Sequence, residues 1–535
     1  MRISIPVLAA FSAAVLQAGL PERALNTFSF TFSDGSGELE WVSPSTFRLV
    51  RTWGAAPAHS TAQITLKALP VMLSEDGPRY RLETRYIVVE LDKTGSEMLV
   101  KRIDGRPLCS YRFRHWGKQS SLDAAAGPLE HFFGLGPRPA EKLDLRGMAI
   151  ETRRPFLFST AGYAEFFQGP GLYRFDLAAA EPGLRRLTIA GDTLEYFFYF
   201  GPTVKEVFEE HLAITGAPQF FGADAFRVRA PAGSVADGSW ASLNDTVRSI
   251  LHGAMSGRLI PEFDLTPYAR ADAGLLASAA QVASVVPMLY APQRGLGGEA
   301  ARIESGMEER RSRLEPYLLS YTKEARDRGV PVIRPLVVSH HDDPLALNRT
   351  GEFMVGDELL AAPVLKPEGG LRVYLPRGIW TEVATGAVYK GRQEISIAAK
   401  PGDMPLFARN GTILPLRPHS GDGREAPLEL HYFPSLGAEF FLFEESEDDM
   451  SQFHAAPVGD VIRLESESRV ERAYDWVVHH TPRCRKVESE EKVWARMAGP
   501  AQLAPGSWCL EPGGDAVRVR VNAVAGGDEI ITLVF

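Results

Sequence analysis

Several clusters in this chain have residue types that could do chemistry. His340-His-Asp-Asp343 packs two imidazoles and two carboxylates into four consecutive positions, which could ligate a metal. Its plainer reading is a polar loop after the Arg334-Pro-Leu336 run. Glu444-Glu-Ser-Glu-Asp-Asp449 offers hard oxygen donors for calcium, but the spacing is not that of an EF-hand loop, and a solvated acidic turn fits better. Arg294-Gly-Leu-Gly-Gly298 is glycine-rich and precedes a helix. A phosphate-cradling turn needs a strand before it, and none is evident, so a loop is expected. No Gly-x-Ser-x-Gly elbow is present, which removes the serine-hydrolase reading. Cys109, Cys484 and Cys509 form neither a Cys-x-x-Cys metal pair nor an even disulfide framework. Cys484 and Cys509 could pair, and buried thiols are the simpler expectation.

The elements that must position these groups fall into three styles of sequence. From Thr27 the chain runs in short alternating segments such as Thr27-Phe-Ser-Phe-Thr-Phe32, broken by Asp34-Gly35, Asp76-Gly77 and Asp104-Gly105. Period-two strands between such turns predict an antiparallel sandwich. The pattern continues to Leu194–Phe200, after which Pro202 is placed to open a helix. Between 217 and 345 strands alternate with helices. Trp240, Leu243, Val247 and Ile250 recur at helical spacing, Leu259–Asp264 reads as a strand, Ala273–Tyr290 as an apolar helix ended near Pro287 and Pro292, Ala300–Arg328 as an amphipathic helix and Val330–Arg334 as a strand. This alternation predicts a parallel β/α arrangement. From Gly351 onward β-signals return.

Length and charge bound the rest. At 535 residues several domains are expected. A net charge of −9 and the lack of a long basic run exclude a nucleic-acid footprint. Met1–Leu16 carries one basic residue and then an apolar run, which reads either as a signal peptide, implying the secretory pathway, or as an apolar element packed on the body. No further apolar stretch is long enough for a transmembrane span. The oligomeric state is left open.

A set of ordered motifs resembles glycoside hydrolase family 31, the α-glucosidase and α-xylosidase family. Phe133-Gly-Leu-Gly136 with Leu143-Asp-Leu-Arg-Gly147 resembles a turn of the family's N-terminal sandwich. Tyr199–Val207 and Leu212–Gly216 resemble the approach to its barrel. Leu314-Glu-Pro-Tyr317, Arg334-Pro-Leu336, Gly356-Asp-Glu-Leu-Leu360, Tyr374-Leu-Pro376, Gly378-Ile-Trp380 and Arg409-Asn-Gly411 resemble its barrel end and C-terminal sandwich. The resemblance implies a multidomain, mainly β protein. A galactose-mutarotase-like β-sandwich is expected over 26–216 after a leader at 1–25. A truncated (β/α)8 barrel remnant follows over 217–345, then β-sandwich domains over 346–418 and 419–535.

The resemblance also implies a carbohydrate ligand, no cofactor and no metal. Family members hydrolyse with retention, using one aspartate as nucleophile and a second as acid/base, about 5 Å apart. Here seven residues separate Pro218 from Phe226, where the family places its first five β/α units, and no nucleophile motif is found. The 217–345 segment is about half of the roughly 250 residues a full barrel takes, and its three strand–helix units cannot close one. Ala236-Asp-Gly-Ser-Trp240 resembles the acid/base segment, so Asp237 is the candidate acid/base and Trp240 a candidate sugar contact; Asp237 also reads as the cap of the following helix. Asp264 matches the aspartate of the family's Asp-x-Gly-Gly-Phe strand end, which shapes the sugar site, but Thr266 and Pro267 replace the two glycines. Tyr290 and Pro292 stand where an arginine and a histidine bind sugar, and Glu151-Thr-Arg-Arg154 replaces an Asn-x-Asp loop. Three readings follow: an α-glycosidase acting with the remaining carboxylates, a non-catalytic relative that binds carbohydrate or protein, and an incomplete gene product. Little or no hydrolysis is expected.

Overall fold

The computed structural model describes residues 21–54, 67–218, 228–229, 236–291, 297–419, 426–444, 450–490 and 492–535. The apolar run at Met1–Leu16, Phe226, Pro292, the start of the glycine-rich run at Arg294 and most of the acidic run ending at Asp449 lie outside the described residues. The chain forms two compact units. One comprises Met1–Pro128, Gly147–Glu151 and Glu165–Phe200, and the other Leu129–Arg146, Thr152–Ala164 and Gly201–Phe535. The multidomain, mainly β architecture is the one the motifs implied.

In the first unit, strands Glu22–Ala24, Thr27–Phe32, Gly35–Ser43, Thr46–Trp53 and Thr193–Phe200 lie side by side and antiparallel. A second sheet runs as a meander through Met72–Asp76, Arg79–Glu83, Ile87–Asp92, Glu97–Arg102, Pro107–Trp116 and Gln119–Ala125, then on to Leu184–Ala190 and Tyr173–Leu177. The predicted turns fall between strands as expected: Gly77 and Gly105 take φ of 56° and 88°, which a side chain resists. Alternation explains which face is inside. Phe28, Phe30 and Phe32 are buried while Ser29 and Thr31 are exposed. Phe47 stacks on Phe198 with ring centroids 5.1 Å apart, and each buried ring contributes about 1.5–3 kcal/mol. Inside the same unit Glu165 and Arg185 form an ion pair with side chains 0% and 2% exposed, and the Tyr111 hydroxyl donates to Glu165.

Among the described residues the second unit holds four α-helices: α1 (Val204–Thr215), α2 (Trp240–Ala254), α3 (Ala273–Val285) and α4 (Glu299–Arg328). α1 starts two residues after Pro202, because Thr203 and Glu206 form a capping box that satisfies the first free N–H groups. α2 is capped by Ser239, with Ser242 closing the box; Asp237 is not the cap. α3 ends at Val285, not at Tyr290. Pro287 pushes Val286 into extended geometry, and Met288–Tyr290 becomes a strand. The strand expected over Val330–Arg334 shortens to Ile333–Arg334. α4 packs on α3 and on strands Thr412–Leu416 and Ala438–Phe443, with Tyr317 stacked on Phe440 at 5.9 Å. Its apolar face is therefore covered within this unit.

C-terminal to α4, strands Phe353–Val355, Leu359–Ala361, Leu406–Arg409 and Ile379–Glu382 form an antiparallel sheet that Ile333–Arg334 joins at its edge. Its core gathers Leu336, Met354, Leu360, Tyr374, Trp380 and Phe407. Further sheets built from Thr412–Leu416 and Leu428–Val534 complete the chain.

Candidate functional site

Two short parallel strands organise the region around the predicted carboxylates. Glu262–Asp264 pairs in parallel with Met288–Tyr290, and a parallel bridge joins Arg229 to Tyr290. The preceding turn is tied in through Val332 N–H, which donates to the Leu259 carbonyl at 3.0 Å. Parallel pairing with helices between the strands is the local pattern of a β/α unit. Among the described residues no closed barrel forms.

Asp264 is the last residue of its strand. Its carboxylate accepts from Thr266 N–H at 2.9 Å, which opens the tight turn Thr266–Tyr268. Asp237 lies in the loop before α2, and its carboxylate accepts from Ser239 N–H at 3.0 Å. The two loops touch. Gly238, at φ 73°, sits against the Pro267 carbonyl, and Tyr268 lies behind them, fully buried, with its hydroxyl 3.4 Å from Ser242 Oγ. Burial raises the Tyr268 pKa first, and the charges of Asp237 and Asp264 raise it further. Both carboxylates therefore act on one phenol. Trp240 begins α2, half-buried, on the same loop–helix junction.

The electrostatics of Asp237 are those of an exposed, hydrogen-bonded carboxylate. Asp237 is fully exposed, and hydrogen bonds from Ser239 and Ser242 hold its pKa below the usual carboxylate value. A general acid in a retaining site needs the opposite shift, produced by burial or by a neighbouring negative charge.

Three neighbours of this region were not singled out in the sequence: Tyr268, Ser242 and Arg311. Tyr268 follows Asp264 by four residues, and its role depends on Pro267 turning the chain. Arg311, from the middle of α4, is buried and donates to the Ala283 carbonyl at 3.3 Å and to the carbonyls of Val286 and Pro287. It fixes the exit of α3 into the strand that carries Tyr290, and burial lowers its pKa to about 10. A charged residue on an otherwise amphipathic helix gives no sign of this in sequence.

The remaining clusters resolve as follows. His340 is buried and its pKa falls to about 4, because burial disfavours the imidazolium. Asp343 accepts from the Tyr374 hydroxyl at 2.6 Å and from Leu345 N–H, so this segment works as a capped loop. Cys109, Cys484 and Cys509 are free, buried thiols.

Residues 329–414 match the glycosyl hydrolase family 31 C-terminal domain. Among curated proteins, 158 residues are 34% identical to α-glucosidase 2 of Bacillus thermoamyloliquefaciens, over 28% of this chain and 19% of that protein. Another 108-residue match is 37% identical to an α-glucosidase of Saccharolobus solfataricus, over 20% of this chain and 15% of that protein. These matches span less than a fifth of each relative's length. A family 31 dextranase from Flavobacterium johnsoniae superposes with a TM-score of 0.83 at 15% identity, covering 97% of this chain and 100% of that one. The α subunit of glucosidase II superposes with a TM-score of 0.72 at 12% identity, covering 96% of each chain.

The family match is thus to one domain, residues 329–414, and the fold of the chain is shared with family 31 structures. The motifs that carry the family 31 resemblance are mostly structural here. Gly356 approaches Tyr317 and Tyr321 so closely that a β-carbon would stand 2.5 Å from one hydroxyl and 2.3 Å from the other ring. Next to it, buried Glu358 accepts from both tyrosine hydroxyls, and Asp357 pairs with Arg334 at 2.5 Å and Lys205 at 2.6 Å. Burial raises the Glu358 pKa. At Asp357 burial pulls the same way but is outweighed by Arg334 and Lys205, which draw the value far down. Two adjacent carboxylates with divergent pKa values resemble an acid/base pair, but these serve packing. Both are locked to partners that hold α1, α4 and the strand Ile333–Arg334 together. In the N-terminal motif, Gly136 N–H donates to Ser256 Oγ at 2.9 Å, anchoring that turn to the end of α2.

Proposed function

We propose that this family 31 chain recognises α-linked glucosides and hydrolyses them poorly or not at all. The observation that carries this reading is the state of Asp237: exposed, hydrogen-bonded by Ser239 and Ser242, and held ionised below the ordinary carboxylate range. A carboxylate in that state has no proton to give to a leaving oxygen near neutral pH. In this reading Asp237 occupies the acid/base position, while Asp264 and Trp240 line the sugar site beside Tyr268.

The substrate class rests on the relatives. Two are named α-glucosidases, and the Flavobacterium dextranase has been solved with glucose and, as a variant, with isomaltotriose. The shift from hydrolysis to recognition rests on the short parallel sheet, because retention requires a second carboxylate on a neighbouring strand end.

The test is turnover of an aryl α-glucoside by the purified chain, run beside Asp237→Asn and beside calorimetric titration with isomaltotriose. Binding without turnover is expected. Turnover that Asp237→Asn abolishes would overturn the impaired reading, and absence of all saccharide binding would overturn the recognition reading.

A further inference from the structure

The first unit carries a groove of about 720 Å³ on the outer face of its first sheet. Strand register explains its floor. Ser29, Glu38, Val50 and Glu195 stand in one row across four strands, since Ser29 pairs with Glu38, Glu38 with Val50, and Val50 with Glu195. Thr31, Ser36, Thr52 and Thr193 form the adjacent row by the same register. Directly opposed residues on one face stand about 4.5–5.5 Å apart, so the rows make a continuous polar patch. One wall is the segment Gly169–Tyr173, fixed by the Tyr173 hydroxyl donating to the Gly169 carbonyl at 3.0 Å. Leu172, 40% exposed, adds an apolar surface to that wall.

At one end of the floor lies Arg48, buried to 7% side-chain exposure. It meets Glu195 at 2.7 Å, Glu40 at 3.3 Å and Glu38 at 3.9 Å. One guanidinium against three carboxylates leaves the groove net negative. That excludes phosphates and carboxylic acids as ligands, because each would add a like charge beside the glutamates. A metal ion does not fit either: among the described residues no three acidic, histidine or cysteine side chains gather at metal-binding distance. What remains is a ligand rich in hydroxyls. Each sugar hydroxyl donates to a carboxylate and accepts from a serine or threonine, while the C–H face of the ring covers Val50 and Leu172.

We propose that this groove binds a short neutral saccharide of two to three sugar units, as a site distinct from the Asp237–Asp264 region. The volume lies within the range of ordinary small-molecule sites. The choice of a saccharide over other neutral polyols rests on the proposed function; the groove and its hydrogen-bonding floor do not. Such a site would hold a polysaccharide chain on the protein whether or not a bond is cleaved.

The experiment is calorimetric titration of the full chain with maltotriose and isomaltotriose, with spermidine as a cationic probe. Glu38→Gln and Leu172→Asp alter the groove at side chains that are partly exposed, and the melting temperature checks that each variant folds. An Asp237→Asn/Asp264→Asn double variant alters the other region, with amides that can still accept the Ser239 and Thr266 N–H groups. Two saccharide-binding events are expected: each groove variant should weaken one of them at least tenfold and leave the other within twofold, and the double variant should do the reverse. Binding lost in the double variant and intact in both groove variants would overturn the groove while leaving the proposed function standing. Binding of spermidine with no saccharide binding at all would overturn both.

Discussion

Gly238 stands against Pro267: a β-carbon built on Gly238 would lie 2.3 Å from the Pro267 carbonyl oxygen. This contact joins the loop that carries Asp237 to the turn that follows Asp264. It also explains why a glycine occupies the position, where φ is 73°.

Gly238→Ala should therefore both strain the backbone and force the two loops apart. The expected loss of stability is about 1–3 kcal/mol, read as a lower urea midpoint with an unchanged slope. Saccharide affinity at the Asp237–Asp264 region should fall in the same variant. An unchanged midpoint would mean that the two loops do not touch in solution.

Asp237 gives a prediction about acidity. Because Ser239 and Ser242 hydrogen-bond its carboxylate, it should titrate below the ordinary value of 3.8. The depressed folded value means that any stability the charge contributes is present above the unfolded pKa and is lost as the pH falls through the folded one. Carbon-detected NMR of the side-chain carboxyl across the acid range reads this directly. A midpoint well above the ordinary value would instead mark a general acid and revive the hydrolytic reading.

Glu352 should make the second unit less stable as the pH rises toward neutrality. Burial lifts its pKa to about 7, against the pull of Arg349 and of a 3.2 Å hydrogen bond from Tyr374 N–H. The folded state then holds a proton that the unfolded state releases near 4.5. The folded form is favoured at the acid end, and stability falls between about pH 4.5 and 7, by about 2–3 kcal/mol. Glu352→Gln keeps an acceptor for Tyr374 and should flatten this dependence in denaturation curves taken on either side of that window. A variant with the same slope as the parent would assign the effect elsewhere.

The Glu165–Arg185 pair supplies a stability test in the first unit. Glu165→Leu leaves the Arg185 guanidinium buried without its carboxylate and should cost about 3–5 kcal/mol. Adding Arg185→Met should recover most of that loss, because two apolar side chains of similar volume need no compensating charge. Thermal melts of both variants decide it; a single variant as stable as the parent would show that the pair is solvated.

How much of this was legible in the sequence depends on how local the cause is. The sandwich strands were legible because alternation and Asp-Gly turns act over two to four residues. α4 was legible because amphipathic spacing persists along it, although its cover by Thr412–Leu416 and Ala438–Phe443 was not. The end of α3 was misplaced by five residues, since the apolar run to Tyr290 suits both a helix and a buried parallel strand, and only the backbone of Val286 before Pro287 separates them. The cap of α2 belongs to Ser239 and not to Asp237, two residues of similar capping tendency that only the geometry of the turn distinguishes.

The sequence by itself determined the family resemblance and the order of elements: ordered short motifs and periodicity are properties of the chain read along its length. Tertiary structure decided what those residues do. Asp237 is an exposed, ionised carboxylate because Ser239 and Ser242 donate to it, and Asp264 holds a turn because Thr266 follows it. Adjacency in the chain would make Asp357 and Glu358 a reactive pair, yet partners from α1, α4 and a distant strand lock both into the packing. The polar groove exists only because strand register aligns Glu38, Arg48 and Glu195 from three separate strands. Hydrogen bonds and charge interactions fall off within a few ångströms, so they depend on which distant segments meet, and that is settled by folding alone.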